Sequence, residues 1–198
     1  PAAGDALYAV DEAGLPSGSD AAADSETVSG TLGITTGNDD LAAVRITHNG
    51  TTTDVTAGAT IDTALGRLEV TESGGNYSWT YTLETNSGGH SAQGTSVDGI
   101  RELFDIQVED SDGDTADSTL GIDVNDDVPS AVDDDADTAE DTPVTYNVLT
   151  NSDGTSDTQG ADSATLTAAT LADPSQGDVS FDPNGEVTFT PAGGVEGD

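Results

Sequence analysis

The sequence predicts an all-β protein built from tandem β-sandwich modules, the second of them incomplete at its C-terminus. Three observations carry that prediction. Apolar residues recur at every second position in many short runs, the mark of strands with one buried face. Gly, Asp, Asn and Ser cluster between the runs, as turns require. No segment holds a 3.6-residue period long enough for a stable helix. The predicted boundary gives a complete module at 1–127 and the N-terminal part of a second at 128–198.

Strands are expected first at 6–10, then from Thr27 to Ile34 and from Leu41 to Thr47, where Val44 and Ile46 share a face. Asn49-Gly50 is a hairpin signal. Further strands fit Thr52–Val55, Leu65–Val70 and Tyr77–Leu83, the last with Tyr77, Trp79, Tyr81 and Leu83 on one face. That stripe reads as core, with sugar stacking as the minor alternative. A Gly/Ser-rich loop runs from Glu84 to Gly99. Phe104–Val108 and Asp117–Val124 then form a hairpin around Asp110-Ser111-Asp112-Gly113-Asp114. Seven to nine short strands in about 120 residues suggest an Ig-like sandwich. In the second module strands are expected at Val132, Val144–Leu149, Ala164–Leu171, Asp178–Phe181 and Val187–Thr190, with a turn at Asp182–Gly185. These are too few for a closed sandwich, so its final strand pair is expected beyond Asp198 or beyond an inserted domain.

Charge sets the chemistry. The chain has 198 residues, with 39 Asp and Glu against three Arg and no Lys, for a net charge of −36. Nucleic acids and anionic membranes are excluded as partners without a cation bridge. Leu, Ile, Val and Phe make up only 36 residues. At this charge, composition alone predicts disorder. Clean alternation and disorder-prone composition are reconciled if bound cations neutralise the folded state, so folding is expected to depend on Ca²⁺. Adaptation of an acidic surface to high salt is the competing explanation. There is no Cys and no Met, so disulfides are excluded. No apolar run reaches the roughly 18 residues of a membrane helix.

Ca²⁺ takes six to eight oxygen ligands. The densest oxygen donors are Asp110, Asp112 and Asp114 in the hairpin turn, and Asn125, Asp126 and Asp127 after it. Eight strand residues separate the two clusters, roughly 25 Å at about 3.3 Å per residue. They therefore serve different ions, one at each end of the module. Asp39 or Asp40, from a turn expected at the same end as Asp110, could join the first site. The turn is not an EF-hand, because Thr115 and Gly121 stand where that loop needs Gly and Glu. Gly37-Asn38-Asp39-Asp40-Leu41 echoes half of a β-helix nonapeptide, but a single copy cannot stack. Zn²⁺ is disfavoured: soft ligands are missing, and His48 and His90 fall on a polar strand and in a loop. No nucleophile elbow appears, and no enzyme activity is expected.

Several motifs together resemble the repeats of large RTX adhesins of bacteria. Glu140-Asp141-Thr142-Pro143, Val148 to Asp153, Gly177-Asp178-Val179 and Asn184 to Ala192 are similar to their cadherin-like repeats. Val10 to Leu15, Gly66 to Val70, Tyr77 to Leu83, His90-Ser91 and Asp110 to Thr115 are similar to their extender repeats. The resemblance implies type I secretion, residence on the bacterial surface, and Ca²⁺-stiffened modules that hold a ligand-binding domain away from the cell. Partners would be neighbouring modules of the same chain and, for the parent protein, a cell-surface or glycan ligand. The family's linker pattern would place Glu12, Asn125, Asp126, Asp127 and Asp153 on one Ca²⁺, with Asn151 or Asp157 as further donors. Glu140 would belong to a later junction. Asp133, Asp134 and Asp135 have no assigned place. The alternatives are a glycan-binding module using Trp79 and the Glu84–Gly99 loop, or a non-catalytic accessory module of a secreted enzyme.

Overall fold

The computed structural model describes residues 8–90, 100–150 and 157–194. The chain divides into two compact units, Pro1–Asp127 and Val128–Asp198. Among the described residues the fold is all-β apart from two 3-10 turns.

The first unit is a two-sheet sandwich. One sheet has the order β1-β9-β8-β3-β4, built from Tyr8–Asp11 (β1), Leu41–His48 (β3), Thr51–Asp54 (β4), Arg101–Asp110 (β8) and Thr115–Asn125 (β9). The other has the order β2-β7-β6-β5, built from Thr27–Leu32 (β2), Ala59–Asp62 (β5), Gly66–Ser73 (β6) and Asn76–Leu83 (β7). β1 lies parallel to β9, and every other pairing in this unit is antiparallel. Asn49 and Gly50 connect β3 to β4 with φ of 47° and 79°. Both are positive, as a tight hairpin turn that follows the sheet twist requires.

Few large apolar residues are available, and they are concentrated in the space between the sheets. Tyr77, Trp79, Tyr81 and Leu83 of β7 are all buried, as are Phe104 and Ile106 of β8 and Leu120, Ile122 and Val124 of β9. Tyr81 and Phe104 meet across the sandwich with ring centroids 6.1 Å apart, and Tyr8 packs edge-on to Trp79 at 4.7 Å. Trp79 is 2 % exposed, so it belongs to the core and not to a sugar-binding surface. Its indole lies over Gly30, its cross-strand partner on β2.

The second unit holds a three-stranded antiparallel sheet, β10-β12-β11, from Val144–Asn147 (β10), Gly177–Phe181 (β11) and Glu186–Pro191 (β12). Among its described residues only Gly160, Ala161 and Gly185 are buried, and Phe181 is 41 % exposed. The strand expected at Ala164–Leu171 is irregular chain from 164 to 170. Its alternating Ala, Thr and Leu offer too little bulk to hold a strand against a sheet. Val132 is likewise outside any strand, and only Ser130 forms an isolated bridge, to Thr158.

A Cβ at Gly30 would meet the Trp79 ring at 2.7 Å. Gly30→Ala is therefore expected to destabilise the first unit by about 1–3 kcal/mol through overpacking. Urea unfolding followed by Trp79 fluorescence measures this directly; an unchanged midpoint would show that the indole has room to move.

Candidate functional site

The first candidate site lies where two chain turns meet at one end of the sandwich. Leu41, at the start of β3, pairs with Asp110, at the end of β8. That pairing brings the 37–40 turn beside the Asp110–Asp114 turn. The latter is closed by the Asp110 N–H donating to the Asp114 carbonyl (3.0 Å) and the Asp114 N–H donating to Asp110 Oδ1 (2.9 Å). Gly113 turns the chain at φ 94°. Carboxylate oxygens of Asp39, Asp110 and Asp112 come within 4.8 Å of one another. Asp110 and Asp114 also line a cleft of about 150 Å³ with Thr35, Thr36 and Thr115. The neighbouring Asp112 side chain, together with backbone N–H groups of the turn that Asp110 accepts from, holds the Asp110 carboxyl below its ordinary range. The turn thus favours a charged Asp110, the form that binds a cation. Asp40 is exposed and stays outside the group.

The second candidate site lies at the other end of β9. β1 ends at Asp11, opposite Asn125. Asp11 caps the 3-10 turn Glu12–Gly14 by accepting from the Ala13 N–H (2.9 Å). Glu12, the first residue of that turn, is fully buried. Its Oε1 accepts from the Ser87 N–H (2.7 Å) and lies 3.1 Å from His90 Nε2. Asp126 completes the group, with its carboxylate within 4.8 Å of the Glu12 and His90 donor atoms. Of the other expected ligands, Asp127 makes different contacts. Asp127 is buried, and its carboxylate accepts from the backbone N–H (2.7 Å) and the hydroxyl of Ser19, clamping the loop after the 3-10 turn. Asn125 sits in the β1–β9 ladder, and Asp153 lies outside the described residues. Asp157 accepts from the Val132 N–H (2.8 Å) within the second unit.

Sequence reasoning missed His90 as a member of this site. A lone His in a Gly/Ser loop carries no periodicity, and only the fold returns it to Glu12. It also missed Glu102, which occupies an inward position on β8 between Ile122 of β9 and the end of β3. Glu102 is 7 % exposed, and its Oε2 makes no hydrogen bond, with His48 Nε2 at 3.3 Å. His48 stacks on Phe104 at 4.9 Å and donates from Nδ1 to the Leu103 carbonyl (2.9 Å). Burial raises the Glu102 carboxyl above its ordinary value of 4.5, with His48 and Thr63 opposing the shift. The three Arg are all engaged: Arg45 with Glu109, Arg67 with Glu84 (3.4 Å) and Arg101 with Asp123.

Residues 125–198 match the family model of the bacterial Ig domain. The Ig fold is a structural scaffold with no chemistry of its own. A comparison with curated proteins finds no match.

A carboxyl raised on folding contributes stability that is present below its unfolded value and lost as pH rises through its folded value. Glu102→Gln, which cannot carry the buried charge, is therefore expected to be more stable than the parent at pH 7. The gap should close towards pH 4. Urea midpoints of both proteins at the two pH values test this, and a pH-independent gap would show that ionisation of Glu102 plays no part.

Proposed function

We propose that this chain is an extender region of a bacterial surface adhesin. Its Ca²⁺-stabilised β-modules hold a ligand-binding domain away from the cell and perform no chemistry themselves. The observation that carries this reading is the convergence of Asp39, Asp110 and Asp112 at one end of the sandwich. The donors are all oxygen, and Asp114 and three threonines line the adjoining cleft. Such a set fits a hard cation with many oxygen ligands, Ca²⁺ above all. The match to the bacterial Ig domain at 125–198 supports the same class of protein. Type I secretion, a place on the cell surface, and a glycan or cell-surface ligand for the parent protein belong to this reading through the resemblance of the repeats.

Linkage supplies the mechanism. An ion that binds only the folded module stabilises it by RT ln(1 + [Ca²⁺]/Kd), about 1.4 kcal/mol per site at a tenfold excess over Kd. Extracellular modules bind Ca²⁺ at roughly 10⁻⁴–10⁻³ M. The site would then fill outside the cell and stay empty in the cytosol, leaving the chain unfolded for export and rigid afterwards. A glycan-binding role for the chain itself loses one of its two supports, because Trp79 is buried.

Calorimetric Ca²⁺ titration tests the proposal. Asp110→Asn combined with Asp112→Asn should remove at least one bound equivalent and the stabilisation that goes with it. Asp135→Asn, a change at an acid outside both groups, should leave the titration unaltered. Equal Ca²⁺ binding in all three proteins would contradict the assignment.

A further inference from the structure

We infer that Glu12, His90 and Asp126 form a site for a first-row transition-metal dication, Zn²⁺ or Co²⁺ in type, distinct in chemistry from the oxygen-only site at Asp39, Asp110 and Asp112. The inference goes beyond the extender reading and stands whether or not Ca²⁺ binds the acidic turn.

The donor set is the first argument. One imidazole nitrogen and two carboxylate oxygens lie within 4.8 Å of one another. Ca²⁺ seeks six to eight oxygens and gains little from imidazole. First-row dications bind imidazole and carboxylate together, and Zn²⁺ sites commonly use three protein ligands and one water. These three donors would fill three of the four positions of a tetrahedral dication, and one of them is an imidazole, a ligand that suits such an ion and not Ca²⁺.

Enclosure is the second argument. The Glu12 side chain is 0 % exposed and that of His90 is 5 % exposed. The chain could place its carboxylates in water, yet here one is completely buried beside an imidazole. Burying a carboxylate costs far more than burying a neutral group unless pairing or a metal compensates it. The third argument is support around the ligands. The Ser87 N–H holds Glu12 Oε1, and Asp11 caps the turn that carries Glu12. Hydrogen bonds of this kind orient metal ligands and tune their basicity.

The three residues come from the 3-10 turn after β1, the connection between β7 and β8, and the chain just after β9. An ion there would cross-link three segments distant in sequence, adding to the β1–β9 pairing and the Glu12–Ser87 hydrogen bond at that end of the sandwich. It would act as a staple in a chain without cysteine. The Glu12–His90 hydrogen bond occupies part of this space, so binding would replace that direct contact with bonds to the metal.

The test uses the whole chain in saturating Ca²⁺, so that the oxygen-only sites are filled and silent. Co²⁺ is titrated in, and its visible d–d absorption and the imidazole signals of the two histidines are followed. The expected result is one equivalent of Co²⁺, displaced by Zn²⁺, with paramagnetic broadening of His90 and sharp signals from His48. His90→Gln should abolish the absorption band, and His48→Gln should preserve it. The histidine signals of the unaltered chain decide the matter even if His90→Gln fails to fold. Failure to bind Co²⁺ under saturating Ca²⁺, or broadening of His48 alone, would overturn the inference and leave Glu12–His90 as a structural hydrogen bond. Loss of Ca²⁺ binding at the Asp110 turn would bear only on the extender reading.

Discussion

The rest of the structure depends on one imbalance: 39 carboxylates against three guanidinium groups. Self-repulsion of that size opposes compaction at every pH where the acids are charged. Three ion pairs cannot offset it, since surface pairs contribute about 0–1 kcal/mol each. The first unit meets the imbalance partly by economy. Its few large apolar residues are almost all placed between the two sheets, with Tyr81 and Phe104 in contact across the core. The second unit has no comparable core among its described residues.

Acids that leave the general surface are the informative ones. Asp127 holds the Ser19 loop, Asp123 pairs with Arg101, and Asp11 caps a turn. These are structural uses in which a hydrogen bond compensates desolvation. Asp39, Asp110 and Asp112 gather instead with their oxygens towards one another, and Glu12 is buried beside His90 and Asp126. A cation would relieve the repulsion between carboxylates in both groups, which makes these two ends of the sandwich the candidate sites.

Much of the fold was legible because period-two alternation is strong where bulky residues carry it. Tyr77 to Leu83 and Leu120 to Val124 were readable as strands for that reason, and Asn49-Gly50 as a turn. β5 was missed because Ala-Thr-Ile-Asp is short and offers one bulky apolar residue among four. Ala164–Leu171 was misread because alternation of small residues imitates a strand without the packing to form one. The acidic turn was visible as a local cluster. His90 and Glu102 were not, because their significance arises from contacts between distant segments: a loop histidine returning to Glu12, and a carboxylate standing where the period calls for an apolar side chain.

The most direct test of the account is thermal unfolding by far-ultraviolet circular dichroism in excess chelator and then in rising Ca²⁺, with Mg²⁺ and NaCl as controls. The account predicts weak β structure or a low midpoint in chelator, and a steep rise that Ca²⁺ produces and the other salts do not. The same fold and midpoint in chelator and in Ca²⁺, or an equal rise with NaCl, would contradict it and make the carboxylates a surface adapted to salt.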